Sequence, residues 1–180
     1  MIKILDDWLP IDYVDGVEKL FFKNHPDTGV SVINWHLNSY TVDSKYDTYE
    51  QDMRENPHYI DIHQFTHNFY SGCQTMSSHF NNMIMPLLNK FPRVKSLIRV
   101  KGNLYPKTDI LYHHNDHIDM DFDHKGAIYY VNSNNGFTVI GDQKIESVAN
   151  RMLFFNPQVL HHSTTCTNEY ARVNINFNYF

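Results

Sequence analysis

Residues 171–180, ARVNINFNYF, alternate polar and apolar side chains with a period of two. This alternation is typical of a β-strand, whose successive side chains point to opposite faces of a sheet. One face would carry Arg172, Asn174, Asn176 and Asn178, and the other Val173, Ile175, Phe177 and Tyr179. Taken alone, the pattern fits an ordinary edge strand with its polar face in water. The alternative is a polar face that lines a cavity and an apolar face that helices cover.

The segment before this strand also divides into short β-prone runs, at residues 96–105, 127–131, 136–140, 144–148 and 151–155. Gly141, Asp142 and Gln143 separate the third run from the fourth and predict a hairpin turn. Short strands at regular spacing are typical of a sandwich or a closed barrel.

The N-terminal half has a different texture. Apolar residues recur at helical spacing over 12–23 and over 74–91, where Pro86 should kink or split the helix. Residues 29–37 are β-prone, and the polar stretch 41–58 is predicted to be a loop. We therefore predict a mainly β fold with N-terminal helices, in one domain over 1–180. Residues 1–95 would supply the helical support and first strands, and 96–180 the β-roll core.

Composition narrows the class of protein. The formal net charge of -5 argues against a broad nucleic-acid footprint, which would need clustered Lys and Arg. The two cysteines form no Cys-x-x-Cys pair, so a reduced cytosolic chain is the expectation. Acidic residues interrupt the first ten positions too early for a secretory signal, and no apolar run is long enough to cross a membrane. Cytoplasmic localisation is predicted, and the oligomeric state stays open.

The stretch HHNDHIDMDFDH, residues 113–124, contains His-x-Asp twice, at His114-x-Asp116 and at His117-x-Asp119. On a strand, a His and an Asp two residues apart point to the same side and can reach one ion. His162 follows the apolar run 151–155, and Arg172 follows ten residues later on the polar face of the last strand.

Two histidines and one carboxylate form the facial triad of non-haem Fe(II) oxygenases, which leaves coordination positions open. A two-oxo acid could chelate the metal and leave one position for dioxygen. The Arg172 guanidinium could then bind the far carboxylate of 2-oxoglutarate with two charge-assisted hydrogen bonds.

At this point the sequence resembles the 2-oxoglutarate- and Fe(II)-dependent oxygenases, in the branch that includes the prolyl 4-hydroxylases and especially their small bacteriophage-encoded members. The resemblance rests on LYPKTDILYHHNDHIDMD, HKGAIYYVN, NGFTV, SVANRMLFFNP and HHSTTCTNEYARVNINFNYF, within residues 97–180. It implies a double-stranded β-helix, a jelly-roll barrel whose interior is the active site. It also implies host-cytoplasmic location for a phage-encoded chain.

Each histidine position is duplicated, and the sequence favours one of each pair. His117 and Asp119 are preferred to the preceding copy because strand-like alternation follows them, and His114 is expected in a loop at the cavity mouth. His162 is preferred to His161 because its ten-residue step to Arg172 should place both on the inward face. The predicted metal ligands are therefore His117, Asp119 and His162.

The resemblance also implies cosubstrate contacts. Tyr105 and Tyr130 match positions whose phenols contact 2-oxoglutarate, although both could be core tyrosines. Asn176 shares the face of Arg172 and either contacts the cosubstrate or lines the cavity. His63 and His67 have ligand spacing on a helix, but no third ligand is evident, so a structural role is expected.

The implied reaction is hydroxylation of a C–H bond with Fe(II), 2-oxoglutarate and dioxygen, and the favoured substrate is a prolyl residue of a peptide or protein. Small metabolites and free amino acids remain alternative substrates. A protein of a different class also remains an alternative, namely a non-catalytic metal-binding jelly roll or interaction module. This alternative stays open because Zn²⁺ and Ni²⁺ outcompete Fe²⁺ at a bare site of nitrogen and oxygen ligands. A third reading is a cupin-type enzyme that uses the triad without 2-oxoglutarate.

Overall fold

A computed structural model describes residues 2–22, 31–39, 41 and 63–180. In chain order the elements are β1 Lys3–Leu5, α1 Ile11–Phe22, β2 His36–Asn38, β3 Gln64–Ser71, β4 Gln74–Thr75, a π-helical turn Phe80–Ile84, α2 Met85–Leu88, β5 Leu97–Pro106, β6 Lys125–Tyr130, β7 Phe137–Ile140, β8 Gln143–Glu146, β9 Arg151–Phe155, β10 His161–Ser163 and β11 Ala171–Tyr179. Most of the predicted polar loop 41–58 lies outside the described residues.

Two antiparallel sheets form a double-stranded β-helix. The large sheet has the order β1-β9-β6-β11-β5-β3-β2, with β4 paired to β3, and the small sheet has the order β10-β7-β8. The chain around His113 and His117 adds to the small sheet through bridges to Thr164 and His161. Apolar side chains of β6 and β9 pack against those of β7 and β8 between the sheets. The predicted fold class is confirmed.

The last strand is buried on both faces, and both of its edges are paired, one with β6 and the other with β5. Its apolar side chains, Val173, Ile175, Phe177 and Tyr179, join the core that α1 and the π-helical turn cover. Its polar side chains Arg172, Asn174 and Asn178 are also buried. The polar face is therefore turned to the barrel interior, as the second alternative requires, and the edge-strand alternative is wrong.

The helical predictions are confirmed in part. Helix α1 buries Val14, Val17 and Phe21 at helical spacing, as expected. The long helix predicted over 74–91 is replaced by a strand, a π-helical turn and the short α2. Pro86 stands in the first turn of α2, where its missing N–H is tolerated. Met76 is 58% exposed, so it does not belong to the core stripe.

Local signals for turns were more reliable than the helical stripe. The β7–β8 hairpin closes over Gly141 and Asp142, and Gly141 has a φ of +54° that suits glycine.

His67 lies in strand β3 and not in a helix. Its Nδ1–H donates to the Asn34 carbonyl at 2.8 Å, and its Nε2 lies 2.8 Å from the Ser77 hydroxyl. Among the described residues, no helix is long and apolar enough to cross a membrane.

Candidate functional site

Three potential metal ligands meet at the mouth of the barrel. His117, Asp119 and His161 each offer one ligand atom, and these atoms lie within 4.8 Å of one another. The backbones of His117 and His161 exchange two N–H···O bonds of 3.0 Å. Residues paired in this way project to the same side of an antiparallel ladder, so the two rings lie 4.5 Å apart between centroids.

The structure places His161, and not the predicted His162, beside His117 and Asp119. The His162 ring turns to the other side of β10, where its Nδ1 lies 2.6 Å from Asp116 and its Nε2 lies 2.9 Å from Nδ1 of His113. The ten-residue step failed because β10 ends at Ser163 and β11 begins at Ala171 in a different sheet. Alternation fixes the face of a residue only within one uninterrupted strand.

Several groups hold the Asp119 carboxylate in place. Its Oδ2 accepts from the Asn178 amide at 2.8 Å, and its Oδ1 accepts from the Arg99 guanidinium at 3.3 Å. Burial raises the pKa of Asp119, but the neighbouring His161, Arg99 and Asn178 outweigh burial and hold that pKa below its usual value. The carboxyl is therefore ionised and oriented, as a metal ligand requires. Asp119 follows a bridge in irregular backbone, and Asp121 is exposed, so the predicted strand through 117–122 is wrong.

Both histidines of the cluster keep one ring nitrogen available. Nδ1–H of His161 donates to the Val159 carbonyl at 2.8 Å, and Nδ1 of His117 faces the Asn115 carbonyl at 3.3 Å. Hydrogen bonds of this kind fix the tautomer and leave Nε2 as the ligand atom. Burial, with a smaller contribution from His161, lowers the pKa of His117 to about 4. His117 is therefore neutral at physiological pH, with a lone pair for a metal ion.

Arg172 is a fully buried cation on the same face of β11 as Asn176 and Asn178, which contact Asp119. Its Nε donates to the Ser147 hydroxyl at 2.8 Å and its Nη2 to the Thr138 hydroxyl at 2.8 Å. The guanidinium lies 5.4 Å and 5.8 Å from the ring centroids of Tyr105 and Tyr130. Within the described part of the chain, no carboxylate forms an ion pair with it. A buried charge with neutral partners alone is costly, so the geometry suits an anionic ligand.

The other predicted cosubstrate residues fall into two groups. Tyr105 and Tyr130 flank Arg172, and the Tyr130 hydroxyl donates to Thr138 at 2.9 Å. Asn176 lies at the metal end instead, with its amide nitrogen 3.5 Å from Oδ2 of Asp119. The Asn176 Oδ1 is buried without a hydrogen-bond partner among the described residues.

His114 is a site residue that the sequence analysis misplaced. It is fully buried, stacks on Tyr105 at 4.9 Å, and contacts the Ser163 hydroxyl through Nδ1 at 2.7 Å. Its Nε2 is buried and has no partner in the described structure. The pKa of His114 is well below 6.5, mainly because the ring is buried and also because Arg172 is a nearby positive charge, so the ring is neutral.

A register irregularity explains why His114 and His117 lie in the same interior. Bridges join His113 to Thr164 and His117 to His161. His113 and His117 are four residues apart, whereas their partners Thr164 and His161 are three residues apart, so the first segment contains one extra residue. The extra residue breaks the alternation between the two histidines. The sequence carries no glycine or proline there to signal the irregularity.

The donor set fits a transition metal. Two neutral imidazoles and one ionised carboxylate are the ligands of the facial triad, which suits Fe(II) and leaves positions for a chelating ligand. His117, Asp119 and His161 would hold the ion, and Arg172 lies deeper in the barrel.

Comparison with known proteins supports the fold. The sequence matches no protein-family model and no curated protein. An oxidoreductase of the 2OG-Fe(II) oxygenase family from Burkholderia pseudomallei aligns with a TM-score of 0.64 and 9% identity, over 99% of this chain and 84% of that one. A Pseudomonas putida prolyl-4-hydroxylase gives 0.57 and 13%, over 99% and 91%. HygX from Streptomyces hygroscopicus, solved with nickel and 2-oxoglutarate bound, gives 0.53 and 11%, over 99% and 82%. The predicted resemblance is confirmed at the level of the fold.

Proposed function

We propose that this protein is a dioxygenase that depends on Fe(II) and 2-oxoglutarate. The observation that carries the proposal is one barrel interior with a His117, Asp119 and His161 cluster at its mouth and the buried Arg172, without an acidic partner among the described residues, further in. A structural metal site does not need the second feature. A dicarboxylic cosubstrate needs both, because one carboxylate chelates the metal and the other requires a cation.

The chain's own residues position the cosubstrate. Arg172 binds the far carboxylate, with its guanidinium already oriented by Ser147 and Thr138. The neutral His114 ring, which stacks on Tyr105, directs its unpartnered Nε2 to the ligand between the two ends of the site. The phenols of Tyr105 and Tyr130 complete this pocket, and Asn176 orients the Asp119 carboxylate from the metal end.

When they are bound, iron and 2-oxoglutarate supply the oxidising chemistry that inserts one oxygen atom of dioxygen into a substrate C–H bond. The protein holds the ligands, excludes water from the cosubstrate and orients the substrate. Asp119 stays ionised and His117 stays neutral because of the charges and burial described above. No side chain has to act as a nucleophile.

The proposed substrate is a prolyl residue of a peptide or protein. The fold shared with a prolyl-4-hydroxylase supports this choice. Exposed apolar side chains, Ile118 and Leu160, directly adjoin His117 and His161 in sequence and give the mouth a surface that suits a polypeptide. A free amino acid or a small metabolite is the alternative substrate.

The test is conversion of 2-oxoglutarate to succinate by the iron-loaded protein, with and without a panel of proline-containing peptides. We expect succinate only with iron present, more of it with an accepted peptide, and a hydroxylated product detected by mass spectrometry. Arg172→Met should abolish turnover, whereas the control Arg151→Met, which removes an arginine already paired with Asp6 at the surface, should retain it. Equal succinate formation by wild type and Arg172→Met would contradict the proposal.

A further inference from the structure

Lys101 is a cation of the barrel wall to which the proposed reaction assigns no role. It lies on β5 directly opposite Asn176 of β11, and Arg99 lies two residues before it, opposite Asn178. Directly opposed residues share a face of the sheet, and so do residues two apart on one strand. Asn176, Asn178 and Arg99 all reach Asp119, so Lys101 belongs to the same inner wall, beside the metal ligands.

The Lys101 ammonium has no hydrogen-bond or ion-pair partner among the described residues, in contrast to the two arginines of this interior. Arg99 pairs with Asp119, and Arg172 donates to Ser147 and Thr138. The Lys101 side chain is partly buried, and that burial lowers its pKa to about 8. Arg99 also lowers this pKa, and the attraction of Asp119 only partly opposes the two effects. A desolvated ammonium that lies beside another cation and forms no direct ion pair among the described residues is typical of a binding site and not of a solvated surface.

The charges of the loaded site do not balance without another anion. A divalent metal ion and dianionic 2-oxoglutarate cancel each other. Among the described residues, the other charged groups of this wall are the cations Arg99, Lys101 and Arg172 and the carboxylate of Asp119. The cavity thus keeps a positive excess beside the metal, which favours a negatively charged molecule there.

The position of Lys101 indicates the substrate as the source of that anion. Asn176 and Arg172 are four residues apart on β11, a span of about 13 Å, so Lys101 lies at the opposite end of the site from the cation for the far carboxylate. On its other side Lys101 pairs with Asn68 of β3, which is exposed. Lys101 therefore lies between the metal ligands and a solvent-exposed residue of the same sheet.

We infer that the substrate of this site presents a carboxylate to Lys101, close to the carbon that is hydroxylated. The inference rests on the proposed function and narrows its substrate to acids. Two sources share this chemistry, the α-carboxylate of a free or C-terminal amino acid and an acidic side chain next to the target residue in a peptide. Lys101 would bind the anion through its ammonium and hold the substrate against the metal.

The experiment uses the whole protein loaded with diamagnetic Zn(II) and 2-oxoglutarate and carrying lysine labelled with carbon-13 at Cε. N-acetyl-L-proline and N-acetyl-L-prolinamide are titrated as a pair that differs only in the charge. We expect the acid to shift the Lys101 signal and to bind at least about tenfold more tightly than the amide. The peptides acetyl-Glu-Pro-amide and acetyl-Gln-Pro-amide distinguish the side-chain source from the α-carboxylate source.

Lys101→Met should reduce the affinity for the acid to that for the amide, and Lys101→Arg should restore part of it. The control Lys125→Met should change nothing, because Lys125 pairs with Tyr179 and lies on the opposite face of the same sheet. Equal binding of acid and amide would overturn the inference, and so would a Lys101 signal that no probe shifts. Loss of 2-oxoglutarate affinity in Lys101→Met would overturn it too, because the ammonium would then serve the cosubstrate. Failure of the wild-type protein to bind 2-oxoglutarate would instead contradict the proposed function.

Discussion

Asp119 illustrates how single residues define this site, because its carboxylate has to serve both the metal and the protein. One carboxylate oxygen accepts a hydrogen bond from Arg99 and the other accepts one from Asn178, so the carboxylate is oriented before a metal ion binds. Removal of such second contacts to a ligand typically changes metal affinity about 10- to 100-fold. His161 and His162 have different surroundings, because adjacent residues of a strand point to opposite faces. His161 lies in the metal cluster, whereas His162 contacts Asp116 and His113.

At the residue scale, the first prediction separates His161 from His162. His161→Ala should abolish tight metal binding, because one of three ligand atoms is lost. His162→Ala should keep metal affinity within about threefold of wild type, because that ring contacts Asp116 and His113 on the other side of β10. Calorimetric titration with Co(II) under anaerobic conditions measures both. Strong loss in His162→Ala with retention in His161→Ala would restore the ligand predicted from sequence.

The second prediction concerns His114. His114→Phe keeps a ring against Tyr105 but removes Nε2, which has no hydrogen-bond partner in the described part of the chain. We expect 2-oxoglutarate affinity to fall about tenfold or more, since a hydrogen bond to a charged group is lost, while metal affinity is unchanged. The dissociation constant of 2-oxoglutarate is measured at saturating Ni(II), with His36→Phe, at an exposed position of β2, as the control. Unchanged cosubstrate affinity would show that His114 is only a packed core residue.

At the element scale, the strands were predictable from the sequence and the faces of the site residues were not. Period-two alternation and turn residues locate β5 to β9 and β11, because each depends on local chain geometry. The face of His161 depends on a strand in another sheet, and that of His114 depends on one extra residue between two bridges. Neither fact is local, so counting residues between motifs cannot reveal it.

The start of β7 supplies the third prediction. A Cβ on Gly136 would lie 2.5 Å from the Thr165 carbonyl oxygen and 2.7 Å from Cδ of Arg172. Gly136→Ala should therefore lower the free energy of unfolding by about 1–3 kcal/mol and weaken 2-oxoglutarate binding by displacing Arg172. Urea unfolding and cosubstrate titration measure the two effects.

The matched control for that substitution is Gly16→Ala in helix α1. A Cβ there meets nothing within 4 Å, so alanine should stabilise the helix by about 0.5–1 kcal/mol. If both variants changed stability in the same direction and 2-oxoglutarate binding stayed intact in Gly136→Ala, the tight packing of Gly136 against Arg172 would be refuted.

At the scale of the whole molecule, the buried histidines make the metal-free protein sensitive to acid. The pKa of His117 falls from 6.5 to about 4 on folding, and those of His67 and His114 are lowered as well. The unfolded chain therefore binds more protons below pH 6.5, and stability is lost as pH falls from about 6.5 toward 4. For His117 alone the loss is on the order of 3 kcal/mol.

Urea unfolding of the metal-free protein at pH 7.5, 6, 5 and 4.5 checks this fourth prediction. The free energy of unfolding should fall between pH 7.5 and 4.5, with most of the loss below pH 6.5. His117→Gln should flatten the decline, because glutamine does not titrate. A profile that is level down to pH 4.5 would mean that these rings are not held neutral by the fold.

The barrel brings the metal cluster and Arg172 into one interior. The metal cluster forms where the 113–117 segment meets β10, and Arg172 enters from β11 of the other sheet. Residues that are more than fifty positions apart in sequence thus share one interior. Their combination implies a ligand that spans from a metal ion to a guanidinium.

The most direct test is an anaerobic titration of the Fe(II)-loaded protein with 2-oxoglutarate, followed by visible absorption. Chelation of the iron by the two-oxo acid should produce a saturable charge-transfer band in wild type. Arg172→Met should need a much higher concentration of 2-oxoglutarate to reach the same band, and His161→Ala should show no band. If iron binds with its full affinity and 2-oxoglutarate produces no band in the wild-type protein, the assignment of this barrel to a 2-oxoglutarate-dependent reaction is wrong.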